Sequence, residues 1–188
     1  LVSKNKATKS WSGNTAFVHI KIGDVLSDWG KRDLEAVESF ERALVIIKEE
    51  YPGDANKLSN IYHGNGVVHA RLGNWDEAID YLKLAYRIVV TDTDRRIKSV
   101  FPAVLCQEIG RVRLDQHFWD ERLLHDTQER QNVFMEAATF SQKAMEYGSC
   151  TSNNDILNCA QVTYFMNGTE DANKLLMAYF EIEMKKSH

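Results

Sequence analysis

The stretch RLGNWDEAIDYLKLAY, residues 71–86, sets Gly73, Ala78 and Ala85 among helix formers and aromatic residues. Small residues at fixed intervals in such company mark places where two helices approach closely. The pattern recurs. When IKIGDVLSDWGKRDLEAVESFERALVII (residues 20–47) is aligned with YHGNGVVHARLGNWDEAIDYLKLAYRIV (residues 62–89), Gly23 pairs with Gly66 and Gly30 with Gly73, both 43 apart. Ala36 pairs with Ala78 and Ala43 with Ala85, both 42 apart. Further on, Gly110 follows Gly66 by 44, and Ala137 and Ala144 keep the spacing of seven. A fainter fourth copy holds Ala160 and Ala172, twelve apart like Gly66 and Ala78, with Tyr179 in place of the last small residue. A fixed period of this length is the signature of a helical array.

Each copy reads as two antiparallel helices crossing at the small residues, with Tyr62, Leu72, Trp75, Phe40 and Leu82 filling the space around them. Boundary residues agree with that reading. Pro52 and Gly53 end one helix and Asp54 caps the next, while Asp92 or Asp94 takes the same role later. Gly73 closes the first helix of the second pair, and Asn74 with Glu77 forms a start like a capping box. Pro102 predicts a kink or a restart at the beginning of the third pair. The expected organisation is an N-terminal tail over residues 1–13 and one array over 14–188, with units near 14–51, 54–91, 94–148 and 152–186.

Composition excludes several function classes. The chain has 188 residues, a formal net charge of −4 and 44% hydrophobic residues, with ten glycines and only two prolines. That balance provides no overall positive field for nucleic acid or an anionic membrane. No apolar run approaches the roughly 20 residues needed to cross a bilayer, so a soluble chain is expected. Cys106, Cys150 and Cys159 are odd in number and include no Cys-x-x-Cys pair, which favours a reducing, intracellular compartment over a disulfide framework. The start LVSKNKATKS is loosely basic and opens on Leu1, as in a processed or partial chain, and has too little of a transit peptide to be read as one. No phosphate loop, nucleophile elbow or triad order is visible, so no catalytic residue, cofactor or resident metal is assigned and the chain is read as a non-enzyme.

The residues Tyr62, Gly66, His69, Gly73, Trp75, Ala78, Leu82 and Ala85 resemble the pattern of the tetratricopeptide repeat family. The period of about 42 rather than 34 is similar to the longer repeats of kinesin light chains and related adaptors. The resemblance implies an all-α, right-handed solenoid of about four antiparallel helix pairs, the third elongated, and a protein-binding scaffold rather than an enzyme. It also implies that the first helix of each pair lines a concave groove. The groove positions would be Phe17, Ile20, Asp24 and Asp28 from the first unit, Asn60, His63, Val67 and Arg71 from the second, and Val104, Gln107, Arg111 and Asp115 from the third. The clamp with which some members grip a chaperone's C-terminal carboxylate is absent, since Ile20, Asp24, Gly64, Val104 and Glu108 stand at its positions.

The third unit departs from the spacing of the others. Gly66 to Ala78 is 12 residues but Gly110 to Ala137 is 27, which adds 15 around HFWDERLLHDTQERQN. With no Gly or Pro in that stretch, both helices are expected to lengthen and project as a hairpin. Phe118, Trp119, Leu123 and Leu124, rimmed by Asp120, Glu121, Arg122 and Arg130, would be its partner contact. A rival reading takes His117, Glu121 and His125, four apart on one continuous helix, as zinc ligands. Lys4, Lys6 and Lys9, and Arg95, Arg96 and Lys98, read as solvated ends. The expected partners are other proteins, as subunits of a larger assembly or as short peptides in the groove. The many apolar phases of LLMAYFEIEM, residues 175–184, hint at burial against another chain.

Overall fold

The computed structural model describes residues 2–91 and 100–147. Among them are helices α1 (Val2–Trp29), α2 (Asp33–Glu50), α3 (Ala55–Arg71), α4 (Trp75–Thr91), α5 (Val100–Trp119) and α6 (Thr127–Glu146), a short 3₁₀ helix (Glu121–Leu124), and no strand. The helices fall into two compact units, residues 1–98 and 99–188. In the first, α1 packs on α2, α2 on α3 and α3 on α4; in the second, α5 packs on α6. The all-α reading and its pairing of successive helices hold. The fourth pair expected at 152–186, with Cys150, Cys159 and the 175–184 segment, lies outside the described residues, as do Arg95, Arg96 and Lys98.

Glycines end the first helix of both leading pairs for one physical reason. Gly30 and Gly73 have φ of 63° and 77°, a left-handed conformation that a side chain opposes. At the second turn the Gly73 N–H donates to Ala70 O at 3.1 Å and the Asn74 N–H to His69 O at 3.0 Å, which satisfies two otherwise orphaned carbonyls. Gly30 repeats the first of these bonds to Ser27 O at 3.1 Å. Asp54 caps α3 by accepting from the Lys57 N–H at 3.0 Å. Asn74 does not complete the anticipated capping box with Glu77; its side-chain amide lies 3.3 Å from His69 Nδ1 instead.

The small-residue crossings are the core of each pair. A Cβ added to Gly23 would lie 2.7 Å from the Phe40 ring, one on Gly66 2.6 Å from Leu82, and one on Gly110 2.7 Å from Ser141. Phe40, Leu82 and Ser141 hold the equivalent place in three successive second helices, so the repeat seen in the sequence is a repeat of contacts. Phe40 is also close to α3: a Cβ on Gly64 would lie 2.5 Å from its ring. One side chain, 1% exposed, thereby sets the separation of α2 from both α1 and α3. Ala36, Ala43 and Ile47 of α2, Ile61 and Val68 of α3, and Ala78, Ile79 and Leu82 of α4 are likewise essentially without exposure. Asn65 is equally buried, and neither of its amide atoms has a hydrogen-bond partner.

Two expectations are corrected here. The helix α1 begins at Val2, so residues 2–13, expected as a tail, continue the first helix; nothing before Gly13 breaks it. Pro102 stands in the first turn of α5 as described from Val100, where a proline's missing N–H is not needed. The third pair is elongated, with α5 and α6 of 20 residues each against 17 for α3 and α4, but the extra length is not all helix. Asp120 stops α5 and opens the 3₁₀ helix by accepting from the Arg122 N–H at 3.0 Å, and Asp126 opens α6 by accepting from the Glu129 N–H at 2.9 Å.

Candidate functional site

Two surfaces were expected from the sequence, a groove on the first helices and an apolar tip on the third pair. In the first unit α1 and α3 lie beside each other, and the residues expected in the groove sort into three kinds. Phe17 is 53% exposed, with the Lys21 ammonium 5.7 Å from its ring, and that same ammonium bonds Asp24 at 2.8 Å. Asn60 is exposed and His63 and Val67 are half-buried. Ile20 is a correction: at 6% exposure it belongs to the core, because it shares the α1 face of Ala16 and Gly23 that packs against α2.

Arg71 is the third kind. Its guanidinium donates to Asp33 Oδ1 at 2.8 and 3.0 Å and to Ser27 Oγ at 2.7 Å. Asp33 is the first residue of α2, where a carboxylate suits the helix N-terminus, and Arg71 is the last of α3, where a cation suits the C-terminus. The side chain therefore pins together the ends of three helices, and a ligand would have to compete with Asp33 for it. Arg111 in α5 is similarly engaged, with Glu108 at 2.7 Å and Asp115 at 3.0 Å. Burial works against its charge, but the two carboxylates prevail and raise its pKa. Burial pushes the Asp115 carboxyl up, with Glu108 adding to the effect and Arg111 opposing it. Gln107, one turn before Arg111, is half-buried.

At the tip of the third pair, Phe118 is 50% and Trp119 75% exposed, the latter the most open large apolar side chain among the described residues. Leu123 is a correction, being 6% exposed. The Leu123 N–H donates to Asp120 O at 3.0 Å, and the 3₁₀ helix this bond belongs to folds against α6 and takes Leu123 inward. Asp120 is not a rim charge either. It is 7% exposed, bonded to Arg122 and to Gln116 Nε2 at 3.3 Å, and the Arg122 hydrogen bond holds its carboxyl below the usual range. The side chain of Leu124 lies outside the described residues.

The proposed zinc stripe does not form, because it required one continuous helix. His117 is on α5, Glu121 in the 3₁₀ helix and His125 beyond it. The His117 Nδ1 lies 3.2 Å from Arg130 O and its ring contacts Phe118 and Phe134 at 5.0 and 4.9 Å. Burial lowers its pKa, which favours the neutral ring. Among the described residues no group of three His, Cys, Asp or Glu side chains is placed to hold a metal ion. No helix among them is long and apolar enough to cross a membrane. His69 is a packing residue, 5.3 Å from the Tyr81 ring, and burial lowers its pKa against the pull of Glu77 and Glu41.

Sequence reasoning missed two structural residues, one in each unit. Gly64 was read only as an absent clamp position, although it is one wall of the Phe40 slot. Asp126 had a visible signal, since Asp-Thr-Gln-Glu at 126–129 fits the capping-box spacing.

Comparison with known proteins agrees with the geometry of the first two pairs. No curated protein matches the sequence. The family model of the tetratricopeptide repeat matches residues 14–89, which span the crossings at Gly23 and Gly66 and both glycine-ended turns. Such repeats generally mediate protein–protein interaction and are typically not enzymes. The matched span is less than half of the chain, and over residues 14–89 the sequence is similar to the tetratricopeptide repeat family.

Proposed function

We propose that the chain is a non-enzymatic scaffold that serves as a structural or assembly subunit of a larger protein complex, contacting its neighbours through the tip of the third helix pair. The observation that carries this reading is the exposure of Trp119 at 75% beside Phe118 at 50%. Tryptophan is rarely left so open, and aromatic anchors of this kind dominate interface energetics when a partner buries them. The long period, similar to that of kinesin light chains, is in keeping with a scaffold.

A regulated adaptor that captures short peptides on α1 and α3 is the second reading, favoured by the exposed Phe17 beside Asn60 and Val67. It is weakened by the state of the cations expected to hold a peptide. Arg71 and Arg111 already have carboxylate partners within the fold.

The test is gentle isolation of the C-terminally tagged protein from its source, with sizing and mass spectrometry of co-purifying chains. A structural subunit travels with a fixed stoichiometric set, and Phe118→Ser/Trp119→Ala strips members from it while Phe17→Ala does not. A chain that runs alone, or whose companions respond only to Phe17→Ala, refutes the subunit reading.

A further inference from the structure

The outer side of α1 carries an apolar stripe that the fold of the first unit does not use. Val18, Ile22, Val25 and Trp29 are 52%, 43%, 50% and 63% exposed, and their spacing of four, three and four keeps them on one line of the helix. The opposite side, with Ala16, Ile20 and Leu26, is the buried one.

The internal repeat tells what such a stripe is for. With the offset of 43 that relates Gly23 to Gly66, these four positions correspond to Ile61, Asn65 and Val68 of α3 and to Leu72, which caps it. Ile61, Asn65 and Val68 have no exposure. Ile61 and Val68 flank Gly64, against which α2 presses Phe40, so α2 is the helix that covers them. In α1 the same positions are apolar and have no equivalent of α2 among the described residues.

We infer that this face binds a second copy of the chain, through antiparallel pairing of the two α1 helices about a two-fold axis between residues 22 and 25. The spacing four, three, four reads the same in both directions, so the stripe is complementary to itself when reversed. Ile22 meets Val25 of the second copy, and Val18 meets Trp29, a small side chain opposite a large one. This is the alternation that interdigitates in a two-helix seam. Charge agrees with shape. Lys21, which within the fold bonds Asp24 at 2.8 Å, and Asp28 lie along one flank of the stripe, and the antiparallel register brings Lys21 of each copy beside Asp28 of the other, so that this one interaction is made twice by symmetry. Four side chains and their flanks fall short of the roughly 800 Å² per partner of a standard interface, so the pair is a weak one. The inference is independent of the third-pair tip, and its apolar residues are not those of the α1/α3 groove, although Lys21 and Asp28 border both surfaces.

Sedimentation equilibrium of the full chain over about 1–200 µM reads it directly, since a weak homodimer dissociates within that range. The expected result is concentration-dependent dimerisation, weakened about tenfold or more by Val18→Asp/Val25→Asp. Both positions are half exposed, so circular dichroism of the variant stays that of the parent. Lys21→Asp alone weakens the dimer and Lys21→Asp/Asp28→Lys restores it. Ile22→Cys/Val25→Cys forms an intermolecular disulfide on mild oxidation, while Leu34→Cys, at an exposed site off the stripe, does not. A chain that stays monomeric throughout overturns the inference. So does a dimer indifferent to Val18→Asp/Val25→Asp, or one that the charge exchange does not restore.

Discussion

Gly64→Ala decides whether the Phe40 slot is as tight as the geometry implies. In an ordinary helix the change stabilises by about 1 kcal/mol, the difference in intrinsic propensity. Here the new methyl carbon would sit 2.5 Å from Phe40 Cζ and 2.7 Å from Cε1, where carbon atoms prefer about 3.5–4.0 Å. Relief requires the ring to retreat by about 1 Å, but the ring also lies close to α1, where a Cβ on Gly23 would be 2.7 Å from the same Cε1 atom, so α1 limits the retreat. The ring is 1% exposed and has no open side. Overpacking of this kind costs about 1–3 kcal/mol. Against the propensity gain, the net effect is a loss of up to about 2 kcal/mol, with Gly23→Ala giving the same sign. Urea titration followed by far-UV circular dichroism measures it as a lower midpoint at unchanged slope. The control is Phe40→Leu, which removes the ring at its own cost and should turn Gly64→Ala neutral or stabilising. A parent-background Gly64→Ala that is stabilised, or a penalty unchanged in Phe40→Leu, refutes the slot.

Asn65→Leu keeps the branched shape while removing two unpartnered polar groups, so it should raise stability by about 2 kcal/mol; thermal melting that shows a loss would mean the amide holds a buried water. His69 and His117 have folded-state pKa values below the unfolded one, so the unfolded chain binds the extra protons: stability is fully present above about pH 6.5 and declines as pH falls through it, and His69→Phe should flatten part of that slope in urea titrations from pH 7.5 to 5. Arg71→Ala should cost about 1 kcal/mol, and a double-mutant cycle with Asp33→Ala should return a favourable coupling; additive effects would mean the pin contributes nothing. Leu123→Ala should cost about 2–4 kcal/mol and Trp119→Ala less than about 0.5, the reverse of what their apolarity alone suggests.

The crossings at Gly23, Gly66 and Gly110 and the turns at Gly30 and Gly73 were legible because each depends on the absence of a side chain, and a glycine in a helical pattern has few other reasons to recur. Gly64 was not, because the repeat places Lys21 at the equivalent point of α1; its partner is Phe40 of the preceding pair, a contact between units that the alignment of units does not contain. Ile20 and Leu123 were misplaced for a different reason. A helical wheel assigns faces but does not say which face a neighbour covers, and Leu123 is not on a helix of that pitch at all. The stripe of His117, Glu121 and His125 failed with it, at two aspartates whose preference for capping outweighed the helix propensity around them. Arg71 and Arg111 looked available because sequence shows a charge without its partner: Asp33 is 38 residues from Arg71.

That separation gives the Arg71 pin a meaning in time. The turn between α1 and α2 is closed by a residue synthesised 38 positions after the aspartate it grips. At about 5–20 residues per second, the first hairpin exists for about two to eight seconds with its α2 N-terminal carboxylate unclaimed. Until the end of α3 emerges, Asp33 and Ser27 can be taken by any cation nearby, so the window in which a nascent-chain factor can hold the first pair open is written into the spacing of the pin.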